Sequence, residues 1–167
     1  MIIDPVPLSF TTLTVHGTPM SQGSKTAVVR GGRGHVIEGG SKTGREKHKS
    51  WREAVRSAAQ QLADDTPGFR VLGVDCPVDV DVTFWLQRPT SAPRRVVTPH
   101  KSLDLDKLLR SVLDAVTGVL IEDDARIVTA MVRKRFAEPG QPTGCRIVLT
   151  EPNWPVPPVP PRKKKVA

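Results

Sequence analysis

Nine residues, Val-Asp-Val-Asp-Val-Thr-Phe-Trp-Leu from Val78 to Leu86, alternate apolar and acidic and then turn apolar. A period of two belongs to an extended strand, because successive side chains point to opposite faces. This strand is half buried at its start and fully buried at its end, so it needs sheet neighbours and a covering layer. Asp79 and Asp81 share its polar face, where they read as a solvent-facing pair that discourages edge pairing.

The covering layer is legible on both sides of it. From about Glu46 to Ala63, Trp51, Val55, Ala58 and Leu62 recur at helical spacing, and Asp-Asp-Thr-Pro-Gly at 64–68 ends the pattern. Leu105, Leu108, Leu109, Val112, Leu113 and Val116 give a second apolar stripe that stops at Gly118. Residues 13–17, Leu-Thr-Val-His-Gly, predict a short first strand. Ala27–Arg30 and His35–Glu38 flank Gly-Gly-Arg-Gly, which predicts a hairpin with a glycine-rich turn. Residues 125–137 and 144–151 read as two strands joined as a terminal antiparallel hairpin. The order strand, hairpin, helix, strand, helix, strand, strand predicts an α/β chain of the α+β kind, one mixed β-sheet with two main helices packed on it. With 167 residues, one domain is expected over 1–151. Residues 152–167 are Pro-rich and then basic, a composition that predicts a disordered tail with little effect on stability.

The chain carries 25 Lys and Arg against 17 Asp and Glu, net +8, with an isoelectric point near 10.0, which favours a polyanionic partner. Arg162, Lys163, Lys164 and Lys165 supply four of those charges, and +8 − 4 leaves +4 elsewhere. The Gly-rich stretch 18–49 holds Lys25, Arg30, Arg33, Lys42, Arg45, Lys47 and Lys49, a basic arm suited to phosphate contacts or simply to solvent. Residues 88–101 form a basic, Pro-rich loop, too long for an ordinary connection. Cys76 and Cys145 lack metal-ligand spacing and read as reduced core thiols. No apolar run reaches membrane-spanning length and the N-terminus lacks signal-peptide layout, so a cytoplasmic protein is expected. His16, His35, His48 and His100 form no ligand spacing, and neither a Walker loop nor a Ser- or Cys-nucleophile arrangement occurs.

Against this basic background, Asp104, Asp106, Asp114, Glu122, Asp123 and Asp124 crowd into 27 residues, 102–128. Acids at a helix start can simply cap it, so Asp104 and Asp106 alone decide nothing. Three further acids before a strand gain little from mutual repulsion without a counter-ion. Hard divalent cations take oxygen ligands from a few carboxylates, activate water and stabilise a phosphodiester under attack. Arg110 lies four residues from both Asp106 and Asp114, placed either for ordinary helix ion pairs or to face a phosphate.

The stretch Asp-Leu-Asp-Lys-Leu-Leu-Arg from Asp104, Asp114-Ala115, Gly118 and Asp123-Asp124 before a strand resembles the signature of RusA-like Holliday junction resolvases, common in phages and prophages. Residues 15–25 and the Trp51–Val55 segment are also similar to segments of that family. Lys107 stands where the family has Asn, Arg110 where it has Lys, and Arg126 where it has Gln. Arg for Lys keeps charge but changes geometry. The resemblance implies a magnesium- or manganese-dependent homodimer that nicks opposed strands of a four-way DNA junction. It assigns the metal to Asp104, Asp106 and Asp124 with Asp123 in support, and a catalytic role to those three acids and Arg110. Lys25, Arg30, Arg33, Lys107, Arg126, Arg133 and Arg135 are the expected DNA contacts. Two rivals remain: a branched-DNA nuclease without strict junction specificity, and a non-catalytic basic DNA-binding protein.

Overall fold

A computed structural model of the chain describes residues 7–23, 25–31, 33–38 and 41–152. The Pro-rich tail, with Trp154 and the terminal cations, lies outside the described residues. Elements follow the order β1 (Pro7–His16), β2 (Lys25–Arg30), β3 (Arg33–Glu38), α1 (Lys42–Asp65), β4 (Val78–Leu86), α2 (Leu105–Val116), β5 (Ile127–Phe136) and β6 (Gly144–Pro152). The α+β reading holds: one mixed four-stranded sheet, order β1-β6-β4-β5, carries both helices, and β2 and β3 form a separate two-stranded ribbon.

β4 occupies the span that its alternation predicts and is an interior strand, parallel to β5 and antiparallel to β6. Its Val78, Val80, Val82, Phe84 and Leu86 join Trp51, Val55 and Ala59 of α1 and Leu108, Val112 and Val116 of α2 in one core. Two expectations fail here. β5 and β6 are not a hairpin, because β4 lies between them and residues 137–143 carry the chain past its end. Asp79 and Asp81 guard no edge either; β1 and β5 are the edges. A strand's own pattern reports how its faces are buried and is silent on its neighbours.

α1 begins at Lys42, ahead of the expected Glu46, because the Ser41 hydroxyl accepts a 3.1 Å hydrogen bond from the Gly44 N–H and caps the helix. Lys42, Arg45, Lys47 and Lys49 are therefore helical and belong to no flexible arm. The hairpin is present, with Arg30 paired to Arg33 and Gly31 at φ +58°. β1 is longer than expected and pairs with β6 from Pro7–Pro152 to His16–Gly144. β6 thus runs one residue past the compositional boundary at 151. Gly144 sits where β6 meets β1, at φ +153°, and a Cβ there would fall 2.0 Å from the Val15 carbonyl oxygen. Only glycine fits that crossing.

Glu151 is fully buried at the end of β6. Its Oε1 accepts from the Gly73 N–H at 2.8 Å and from Arg70 Nη1 at 3.2 Å, while Arg70 Nη2 pairs with Oε2. A carboxylate taken out of water needs such partners, and here they bind the loop between α1 and β4 to the sheet. Burial first, then the hydrogen bond and charge of Glu151, raise the Cys76 thiol. Burial alone pushes the Cys145 thiol up to about 12. Cys145 is the core thiol expected, whereas Cys76 is only half-buried in that loop. Arg70→Ala, which leaves the buried carboxylate the Gly73 N–H but removes its guanidinium, should cost about 2 kcal/mol in urea unfolding. A loss under about 1 kcal/mol would show that water replaces the guanidinium.

Candidate metal centre and nucleic-acid interface

The connection from β4 to β5 holds the two acidic groups. Asp104 is the N-cap residue of α2, yet its side chain makes no capping hydrogen bond. Its Oδ2 takes the Lys107 ammonium at 2.6 Å instead. That hydrogen bond, and then the charge of Lys107, hold the Asp104 carboxyl below its usual range and raise Lys107 in return. Asp106, in the first turn, is exposed and makes no side-chain hydrogen bond or ion pair among the described residues. Both acids line an open cleft of about 630 Å³ with Leu105, Leu109, Ala130, Val132 and Lys134. Lys134 donates to the carbonyls of Ser102 and, at 2.7 Å, Leu103, so β5 fixes the loop that presents Asp104.

Asp123 and Asp124 open a 3-10 turn (Asp124–Arg126) that leads into β5. The Asp123 Oδ1 accepts from the Ala125 N–H at 2.8 Å and caps the turn. Glu122 pairs with Arg126 at 2.8 Å. Asp124 is exposed and has no side-chain partner among the described residues. The preceding segment is anchored by Leu72, whose N–H donates to the Leu120 carbonyl and whose carbonyl accepts from the Glu122 N–H, each at 2.9 Å. Among the described residues, no three His, Cys, Asp or Glu side chains converge closely enough to hold a metal by themselves. The structure brings Asp104 and Asp106 to one cleft and leaves Asp123 and Asp124 outside that lining.

The cations divide into engaged and open ones. Arg133 forms a two-pronged pair with Asp81 across β4 and β5, Nη1–Oδ1 3.0 Å and Nη2–Oδ2 3.1 Å. That pair sits on the sheet face away from the helices and accounts for Asp81. Arg135, on the same face, is exposed and unpaired among the described residues. Arg110 forms neither expected helix ion pair; Asp114 receives Arg52 at 4.0 Å and the Gln22 amide at 3.3 Å. Arg110 is left exposed on α2. Arg33 is exposed on the hairpin; Lys25 and Arg30 occupy the ends of β2, and their side chains lie outside the description.

Lys134, expected with Arg133 and Arg135 to carry the DNA backbone, is instead engaged by the Ser102 and Leu103 carbonyls. Two further positioning residues were not singled out in the sequence. Gln22 ties the segment before the hairpin to α2, its N–H donating to the Lys107 carbonyl at 3.3 Å. Arg88 donates to the Val96 and Pro93 carbonyls at 2.6 and 2.8 Å and stacks on Phe136, 5.2 Å from the ring centroid. It organises the basic loop ahead of Asp104. A lone Arg at the mouth of a proline-rich loop was the one available signal.

Asp104 and Asp106 thus share an open cleft with the cations Lys107 and Lys134 beside them. The profile of the family described as endodeoxyribonuclease RusA matches residues 17–144, and the chain belongs to that family of DNA endonucleases. It is also 25% identical over 135 residues to the uncharacterized protein YqaN of Bacillus subtilis (strain 168), covering 75% of this chain and 87% of that one. No helix among the described residues is long and apolar enough to cross a membrane.

The Asp81–Arg133 pair is about one-third exposed on both sides. A double-mutant cycle with Asp81→Ala and Arg133→Ala should therefore give a coupling of about 0.5–1 kcal/mol in thermal unfolding. Zero coupling would return Arg133 to the open cations.

Proposed function

We propose that this chain is a metal-dependent endonuclease that resolves four-way DNA junctions by paired, symmetric nicks, acting as a homodimer. The observation that carries the proposal is the pair of exposed carboxylates at the start of α2, neither of them capping the helix, inside a chain of the endodeoxyribonuclease RusA family. Asp104 does not cap its helix but draws the Lys107 ammonium, and Asp106 makes no side-chain hydrogen bond or ion pair among the described residues, so its carboxylate is open to a cation. The ammonium of Lys107 rests on Asp104 and also feels the charge of Asp106, which marks the position as one that draws a cation.

The donor set fits magnesium, with manganese as a substitute. That ion needs only one or two protein carboxylates and completes its shell with water and substrate phosphate oxygens. Asp104 and Asp106 would hold it, with Asp124 as the third carboxylate and Asp123 keeping its turn in place. When bound, such an ion activates water and neutralises charge on the phosphate. Arg110, exposed and without a side-chain partner among the described residues, is the α2 cation available to meet the scissile phosphate. Lys107 would yield Asp104 and turn to the DNA backbone, joined by Arg126, Arg135 and the hairpin cations. Arg133 contributes to that surface only through the flank of its pair with Asp81.

A synthetic four-way junction and a linear duplex, each incubated with and without magnesium, test the proposal. Magnesium-dependent, symmetric nicking of the junction is expected. Asp106→Asn should lower cleavage at least 100-fold while leaving binding within about threefold, because the residue carries no structural contact. Full activity in that variant would overturn the site. Equal cleavage of flaps and junctions would give the reading of a general branched-DNA nuclease, and binding without any cleavage a non-catalytic one.

A further inference from the structure

α1 carries a row of cations along one face. Lys42, Arg45, Lys49, Arg52 and Arg56 step by three and four residues along the helix. At 100° per residue they fall within about 80° of one another, on one face about 21 Å long. All five line an open groove of about 580 Å³ between α1 and α2. Its carboxylates are Glu46, Glu53 and Asp114. Lys49 reaches Glu53 at 3.8 Å and Arg52 reaches Asp114 at 4.0 Å, so two of the three are already balanced.

Two features count against a merely solvated face. Glu46 and Glu53 interleave at i,i+4 with Lys42 and Lys49, but five cations against two acids leave this stripe of α1 at +5 − 2 = +3, more than surface ion pairing needs. The first turn of α1 also contains no acid. Lys42 and Arg45 stand instead at the positive end of the helix dipole, where cations are disfavoured and anions are welcome. Both penalties vanish if an extended polyanion lies in the groove.

The groove also leads towards the acidic cleft. His48 meets Ser111 at 3.1 Å, Arg52 meets Asp114, and Arg56 donates to the Ala115 carbonyl at 3.4 Å. Contacts that advance together along both helices make them run in the same sense. The Lys42 end of the row therefore lies at the end of the pair where α2 presents Asp104 and Asp106.

We propose that the α1–α2 groove binds the sugar-phosphate backbone of one duplex arm and guides it to the Asp104–Asp106 cleft. This rests on the endonuclease reading above. A row of about 21 Å spans roughly six base pairs at 3.4 Å each. The contact is to phosphates alone and is blind to sequence.

The test uses the full chain, without divalent metal, titrated with a fluorescent four-way junction and a linear duplex over a range of salt. Each phosphate contact contributes about 0.9 to the slope of log affinity against log salt. Lys42→Gln, Arg45→Gln and Lys49→Gln together should reduce that slope by about 2–3 for both DNA forms and weaken binding about 10- to 100-fold near 0.1 M salt. The thermal midpoint should hold or rise. If the triple variant is destabilised, Lys49→Gln alone decides, because that side chain is 79% exposed. It should remove about one contact. An unchanged slope in a variant of normal stability overturns the groove, as does a variant that loses binding only to an acidic polypeptide such as poly-glutamate. A wild-type protein that neither binds nor cleaves any DNA would instead refute the endonuclease reading itself.

Discussion

The parallel pairing of β4 with β5 is the constraint on which the rest of the molecule depends. Parallel neighbours cannot be joined by a tight turn, because the chain must return to its starting end before pairing again. Here it returns through the Arg88-organised loop, α2 and the turn at Asp123, and every acid of the cluster lies on that route. The crossover closes the core with Leu108, Val112 and Val116, so the element that carries the candidate site is also one the sheet needs in order to be covered. The carboxylates can repel one another because they ride on a segment fixed by apolar burial and by Lys134, not by their own contacts.

The legible and illegible parts of this fold differ by the range of the interaction involved. β4 and α2 follow from local period, and each was readable to within a residue or so. The pairing partners of β5 and β6 were not, since strand order depends on which edges remain after the crossover has formed. Arg70 and Glu151 stand 81 positions apart, and nothing in either neighbourhood announces a buried pair. Asp79 and Asp81 looked alike in sequence, and only the register beside β5 sets Asp81 against Arg133. Within the site, the acids at the α2 start and the family signature were readable, while the absence of a cap bond at Asp104 and the freedom of Arg110 required coordinates. The start of α1 was missed because glycine at position 44 argues against a helix, and a serine cap at Ser41 outweighs it.

Charge of opposite sign is sorted by element. Cations lie on α1, the hairpin, the loop before α2 and β5, whereas the exposed acids Asp104, Asp106 and Asp124 lie at the two ends of α2 and its following turn. A polyanion drawn to such a surface is repelled locally by Asp104, Asp106 and Asp124 unless a cation intervenes. Metal and nucleic acid would consequently strengthen each other's binding, as any two ligands of opposite charge do when they share a site.

β6 lies between β1 and β4, so the strand made last in the described fold fills the middle of the sheet. Until it leaves the ribosome, β1 has no neighbour and β4 lacks one of its two. Local helices can form early, but the sheet closes through contacts between residues such as Pro7 and Pro152, near opposite ends of the described chain. Such long-range closure is slow, and it leaves strand edges exposed while it waits. A growing chain therefore has no closed sheet beneath the crossover that carries its acids until β6 has been made.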